Sequence, residues 1–197
     1  MTRLILASTS PYRAELLQRL QISFETVAPH TDETPLPSES PANLVTRLAE
    51  LKARSVLDSG NSAHPGAALV IGSDQVADLN GDILGKPHTA EIACQQLAQV
   101  SGRTVQFRTG LCLLDLASGQ SQLDRIDTEV RFRTLTEAEI LRYVELDQPL
   151  DCAGSFRSEG LGISLLEGMS TSDPTALIGL PLVRLGQMLR EAGVWVP

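Results

Sequence analysis

The sequence predicts an α/β fold built on a mixed sheet, organised as one domain over residues 1–197 or as one domain with a lobe. Three observations predict it. Short apolar runs that read as buried strands alternate with apolar positions spaced for helices. The middle of the chain is rich in hairpin signals. Hydrophobic residues make up 42% of the 197, enough to bury a sizeable core.

Taken in order, Leu4-Ile5-Leu6 is a short buried strand. Ser10-Pro11 opens a helix, with Ser as N-cap and Pro in the first turn, where its missing N–H costs nothing. Leu16, Leu17 and Leu20 form the apolar stripe of that helix. Phe24 to Ala28 reads as a second strand, and 30–41, with Pro35, Pro37 and Pro41, as a loop. Ser40-Pro41 repeats the helix start, and Leu44, Val45, Leu48 and Leu51 line one helical face. Residues 58–66 read as a turn region, and 67–72, continuously apolar, as a buried central strand.

Residues 75–79 and 82–84 flank Asn80-Gly81, a pair that tolerates the positive φ angles of a type I′ hairpin turn. A helix follows over 90–100, ending near Gly102. Two long strands, 105–116 and 122–132, meet around Ser118-Gly119. Thr136-Glu137-Ala138-Glu139 is a capping box that opens another helix. Residues 154–162, with three glycines, read as a loop. Leu182 to Arg190 is the closing helix, stopped by Gly193.

Composition excludes several classes of function. No apolar stretch approaches the roughly 18 residues needed to span a bilayer, and the apolar run after Met1 is too short for a signal-peptide core. The net charge of −8, without a Lys/Arg run, argues against duplex nucleic acid as a partner. Cys94, Cys112 and Cys152 are odd in number and far apart, as expected of free thiols in a reducing cytoplasm rather than of a disulfide framework or zinc site.

Four groups of residues could carry chemistry. Ser8-Thr9-Ser10-Pro11-Tyr12-Arg13 lies between a strand and a helix start, where free backbone N–H groups and the helix dipole favour an anion. Its hydroxyls add donors, and the Arg13 guanidinium can grip phosphate oxygens in pairs. Ordinary capping by Ser10 with a solvated Arg13 is the competing reading. It is not a Walker loop, because the G-x-x-x-x-G-K-[ST] spacing is absent. Asp74 follows Val70-Ile71-Gly72-Ser73 at a strand end, where ligands of open α/β sheets gather. A carboxylate there can bind a metal or take a proton from water, or simply make a turn.

The third group comprises Asp32-Glu33 and the only two lysines of the chain, Lys52 and Lys86. Lys offers phosphate a compact point charge, although each could be a solvated surface residue. The fourth is the polar, glycine-flanked stretch Ser155-Phe156-Arg157-Ser158-Glu159-Gly160. His30, His64 and His88 stand singly beside Pro or turn residues and carry no metal signature. From the residues alone, these groups indicate an anion or phosphate site in a cytoplasmic α/β protein and name no reaction.

In order along the chain, Leu6-Ala7-Ser8-Thr9-Ser10-Pro11-Tyr12-Arg13, Asp32-Glu33, Arg47-Leu48-Ala49 with Lys52-Ala53, Gly72-Ser73-Asp74-Gln75, Gly85-Lys86-Pro87, Ser101-Gly102, Ala153-Gly154-Ser155-Phe156 and Gly179-Leu180-Pro181 resemble the Maf family of nucleotide pyrophosphatases. No one segment is specific; the ordered set is. Tyr12, Gln75 and Glu159 follow the branch that hydrolyses 7-methyl-GTP, whereas the sister branch acting on dTTP and UTP has Arg, Thr and Gln there. One departure is Ala14, where members of the first branch can carry a second Arg.

The resemblance implies a two-lobed mixed-sheet fold similar to inosine triphosphate pyrophosphatases, with the active cleft between the lobes. It also implies a divalent cation, Mg²⁺ or Mn²⁺, and hydrolysis of 7-methyl-GTP to 7-methyl-GMP and diphosphate. By the same resemblance Asp74 is the proton acceptor, Ser8, Ser10, Arg13, Lys52 and Lys86 hold the phosphates, and Tyr12, Gln75 and Glu159 select the base. Glu33 is the further carboxylate expected at the metal. A homodimer is implied as well. The same reaction on dTTP, UTP or another modified nucleotide, and a nucleotide-binding regulator of cell division, are the alternative readings.

Overall fold

The computed structural model describes residues 2–58 and 68–197. Most of the turn region expected over 58–66, His64 included, lies outside the described residues. The chain divides into two compact units, the first drawn from 1–74, 109–126 and 173–197 and the second from 75–108 and 127–172.

In the first unit, β1 (Arg3–Ala7) runs parallel to both β2 (Glu25–Val27) and the start of β3 (Ala68–Leu79). The register Leu4↔Leu69, Ile5↔Val70 and Leu6↔Ile71 aligns apolar residues of like face. Successive side chains leave a strand on opposite faces, and both faces here are covered. On one, Leu4, Leu6, Leu69 and Ile71 pack with Leu16 and Leu17 of α1 (Pro11–Gln18) and with Leu185 and Leu189 of α5 (Leu182–Glu191). On the other, Ile5, Ala7 and Val70 pack with Ala49, Ala53 and Val56 of α2 (Pro41–Asp58). Burial on both faces is why these strands read as unbroken apolar runs.

The second unit carries the rest of β3 and its antiparallel partner β4 (Asp82–Leu84), joined by Asn80 at φ 56° and Gly81 at φ 99°, the two positive angles that Asn-Gly predicts. α3 (Ala90–Val100) is capped by Thr89, whose hydroxyl accepts from the Ile92 N–H. α4 (Glu137–Asp147) begins with the expected capping box: Thr136 and Glu139 each accept a hydrogen bond from the other's backbone. β5 (Thr104–Asp115) and β6 (Ser121–Phe132) contribute to both units. The rings of Phe107 and Phe132 each meet Phe156, with centroids 5.6 and 5.3 Å away.

Three expectations are corrected. β3 runs through Gly72-Ser73-Asp74 without a break, so Asp74 lies inside a long strand rather than at its end. The neighbouring strand ends first: β1 pairs as far as Ala7↔Gly72, so Asp74 still stands beyond the carboxyl end of β1. The stretch expected as a loop over 154–162 is taken up partly by 3₁₀ turns at Ala153–Ser155 and Leu161–Leu165. Lastly, β7 (Leu166–Thr171), absent from the sequence reading, pairs antiparallel with β6.

Candidate active site

The first unit holds seven of the ten candidate residues: Ser8, Ser10, Tyr12, Arg13, Glu33, Lys52 and Asp74. The chain leaves β1 through Ser8-Thr9-Ser10. The Ser10 N–H donates to Ser8 Oγ at 3.1 Å, which holds this short segment in a tight turn. Ser10, extended at φ −73° and ψ 120°, caps α1 and accepts from the Arg13 N–H, with Pro11 in the first turn. The expected cap and the expected anion-facing turn are thus one structure. Ser8 is buried, while Ser10, Tyr12 and Arg13 are half-buried.

Asp74 and Lys52 form a buried ion pair, Nζ to Oδ1 at 2.6 Å, each residue only 6% exposed. Lys52 Nζ also meets Glu33 Oε1 at 2.8 Å. Glycines set this geometry: a Cβ at Gly72 would sit inside the Ala49 carbonyl, and one at Gly110 inside that of Val45. α2 can therefore lie directly on β3 and β5, which brings Lys52 to Asp74. Glu33 comes from the proline-rich loop, and Arg47 ties that loop to α2. Its guanidinium donates to both oxygens of Glu39 at 2.6 and 2.7 Å and to the Thr34 carbonyl at 3.2 Å. The Arg47 hydrogen bonds hold the Glu39 carboxyl down to about 2.

Opposing influences act on Asp74. Burial pushes its carboxyl up; the charge and hydrogen bond of Lys52 and the charge of Arg13 push it down; Glu33 pushes it up again. Burial prevails, and the carboxyl lies above its ordinary value. Burial also lowers Arg13, against the pull of Asp74 and then Glu33. A guanidinium stays charged throughout. The site thus holds two carboxylates on one ammonium with a partly desolvated Arg alongside. Arg13 Nε–H donates to the Gly179 carbonyl at 2.8 Å, which turns the guanidinium about a fixed anchor.

The remaining candidates belong to the second unit. Lys86 is exposed between β4 and α3. Glu159 is exposed, with Arg157 Nε at 3.9 Å from Oε1 and the Ser158 hydroxyl at 3.2 Å from Oε2. Gln75 follows Asp74 on β3. The strand alternates Gly72 and Asp74 toward α2 and Ser73 away from it, so Gln75 leaves on the face that Asp74 does not use.

Sequence reading gave no role to Ser73, Thr109, Asp173 or the Gly179 carbonyl. Their partners lie up to 106 residues away, and only the buried hydroxyl of Ser73 within a polar strand segment could have signalled one of them. Among the described residues, no group of three His, Cys, Asp or Glu side chains is arranged to hold a metal ion, and no helix is long and apolar enough to cross a membrane.

In the first unit the serine-rich turn, the start of α1, the buried Asp74–Lys52 pair and the Arg13 guanidinium stand together, and the turn, the helix start and the guanidinium can offer donors to an anion. The model of the family described as Maf-like protein matches residues 3–192. The chain belongs to the Maf family. Two relatives are named 7-methyl-GTP pyrophosphatase. That of Nitrosococcus oceani is 56% identical over 190 residues, covering 96% of this chain and 93% of its own. That of Aromatoleum aromaticum is 52% identical over 196 residues, covering 100% and 98%. A solved structure from Mycobacterium abscessus, a nucleoside-triphosphatase or dITP/XTP pyrophosphatase, matches 97% of this chain and 94% of its own at 17% identity and a TM-score of 0.45.

Proposed function

We propose that this chain hydrolyses 7-methyl-GTP to 7-methyl-GMP and diphosphate. The relatives' activity supports the substrate. The observation that carries the chemistry is Asp74, a buried carboxylate with a raised affinity for protons, held by Lys52 on one oxygen.

Lys52 engages Oδ1, which leaves Oδ2 to accept a proton from the attacking water. The water oxygen bonds to the α-phosphorus, the bond from that phosphorus to the α–β bridging oxygen breaks, and diphosphate leaves with the electron pair. A raised pKa makes the ionised Asp74 a better base than an ordinary carboxylate. Arg13 and Lys52 neutralise charge on the phosphate chain, and Ser8 and Ser10 line the turn that receives it. Lys86 adds phosphate charge, and Tyr12, Gln75 and Glu159 select the base, by the resemblance.

A divalent cation, Mg²⁺ or Mn²⁺, fits the donor set. Glu33 and Asp74 share one ammonium and repel each other, and Mg²⁺ takes one or two carboxylates together with substrate oxygens. Glu33 would hold it, together with substrate oxygens. When bound, it supplies charge neutralisation and a more acidic water. Three free thiols, with Cys112 buried and pushed up to about 12 by burial, support a reducing cytoplasm as the setting.

The test is a panel of nucleotides given to the purified protein with Mg²⁺ or Mn²⁺, products resolved by phosphorus NMR. Diphosphate and 7-methyl-GMP in excess over products of dTTP, UTP and GTP support the reading. Preferred turnover of dTTP or UTP moves the chain to the other specificity. Binding without turnover makes it a regulator.

A further inference from the structure

We propose that the segment 173–181 is a built support for the Arg13 guanidinium, with Asp173 and Ser73 as positioning residues that act on the substrate through Arg13. The inference rests on the reading of Arg13 as a phosphate ligand. It assigns functions to two buried polar residues that the proposed mechanism does not use.

Every element of the support lies in the first unit. Asp173 is 1% exposed, and its carboxylate is fully engaged. Oδ2 accepts from the backbone N–H groups of Val183 and Arg184 at 2.7 and 3.2 Å. These are first-turn donors of α5, whose own N-cap is Pro181 and offers no side-chain acceptor. Oδ1 accepts from the N–H and the hydroxyl of Thr175 at 3.1 and 2.7 Å, and Thr175 Oγ1 in turn accepts from the Leu182 N–H at 2.7 Å. One carboxylate thereby caps α5 from outside the helix and closes the 175–182 turn.

Two strand hydroxyls fix the interior of that turn. Thr109 Oγ1 donates to the Ala176 carbonyl at 3.0 Å. Ser73 Oγ lies 2.9 Å from the Gly179 carbonyl and 2.8 Å from that of Gly110, so its single proton is shared between them. Gly179, at φ 119°, takes an angle that disfavours any side chain, and an added Cβ would come 3.4 Å from Arg13 Nε. Its carbonyl points at the guanidinium and receives Nε–H. With Nε so occupied, both terminal nitrogens are presented to an anion as a fork.

A support of this kind has a signature that a merely structural role lacks. Removing it weakens phosphate binding only while Arg13 is present. Affinity for inorganic triphosphate, measured by titration calorimetry on folded protein, is the readout, because it does not depend on turnover or on the nucleobase. Arg13→Ala weakens triphosphate binding about tenfold or more. Ser73→Ala weakens it about two- to tenfold in the wild-type background and has no further effect in the Arg13→Ala background. Asp173→Asn repeats the test should Ser73→Ala fail to fold. If Arg13→Ala leaves affinity unchanged, the phosphate role of Arg13 is wrong. If Arg13→Ala weakens binding but Ser73→Ala and Asp173→Asn do not, or if their effects simply add to that of Arg13→Ala, the positioning role is overturned while the phosphate role stands.

Discussion

In the proposed mechanism Lys52 does two things at once: it neutralises a buried carboxylate and offers charge to a phosphate. It lowers the proton affinity of Asp74, against the burial that raises it. The proposed role of Asp74 as base needs the ionised form, so activity should be lost as the pH falls through a pKa above the ordinary carboxylate value. Lys52→Met removes a group that holds that pKa down. The acid limb of kcat/KM against pH should therefore move to higher pH than in the wild type. The variant should also lose about 3–5 kcal/mol of stability, the usual cost of orphaning one member of a buried pair, measured by denaturant titration. An acid limb at unchanged pH would show that Asp74 is not the titrating group.

At the scale of elements, the active site depends on how closely α2 approaches the sheet. Gly72 is the control point, since any Cβ there meets the Ala49 carbonyl and the Ala53 backbone. Gly72→Ala should force α2 outward and cost at least about 1–3 kcal/mol, with loss of activity in proportion to the displacement of Lys52. Thermal unfolding and kcat/KM on the same sample check both. Elements whose signal is local were legible in the sequence. Ser10-Pro11, Asn80-Gly81 and Thr136 with Glu139 each encode their own turn or cap, and all three formed as read. β7 was not legible because Leu166-Glu167-Gly168-Met169-Ser170-Thr171 has the composition of a loop and becomes a strand only by pairing with Thr128 to Phe132. The break expected before Asp74 failed for a related reason: polar Ser73 and Asp74 look like a strand end, yet Ser73 is satisfied by two carbonyls and Asp74 by Lys52. The site residues themselves were legible as types. The ion pairs joining Lys52 to Glu33 and Asp74, and the long-range anchor of Arg13, were not, because they exist only in the folded chain.

For the whole molecule, the question is which nucleotide an acidic chain of net charge −8 accepts. 7-Methylguanine is cationic, and an aromatic face attracts such a ring by about 0.5–2 kcal/mol. A carboxylate can also accept from the guanine N1–H and N2–H. Tyr12 and Glu159 are the residue types for these tasks. Changing both, Tyr12→Arg with Glu159→Gln, should cut kcat/KM for 7-methyl-GTP far more than for dTTP or UTP. An equal loss on every nucleotide would assign the two residues to the fold or the phosphates instead.

The most direct measurement compares wild type and Asp74→Asn in single turnover with 7-methyl-GTP and a divalent cation, separating nucleotide and phosphate products. The wild type should release 7-methyl-GMP and diphosphate. Asp74→Asn should bind the nucleotide with similar affinity and turn it over about 10²–10⁴-fold more slowly. Turnover by the variant at the wild-type rate, or orthophosphate as the first product of the wild type, would contradict the account.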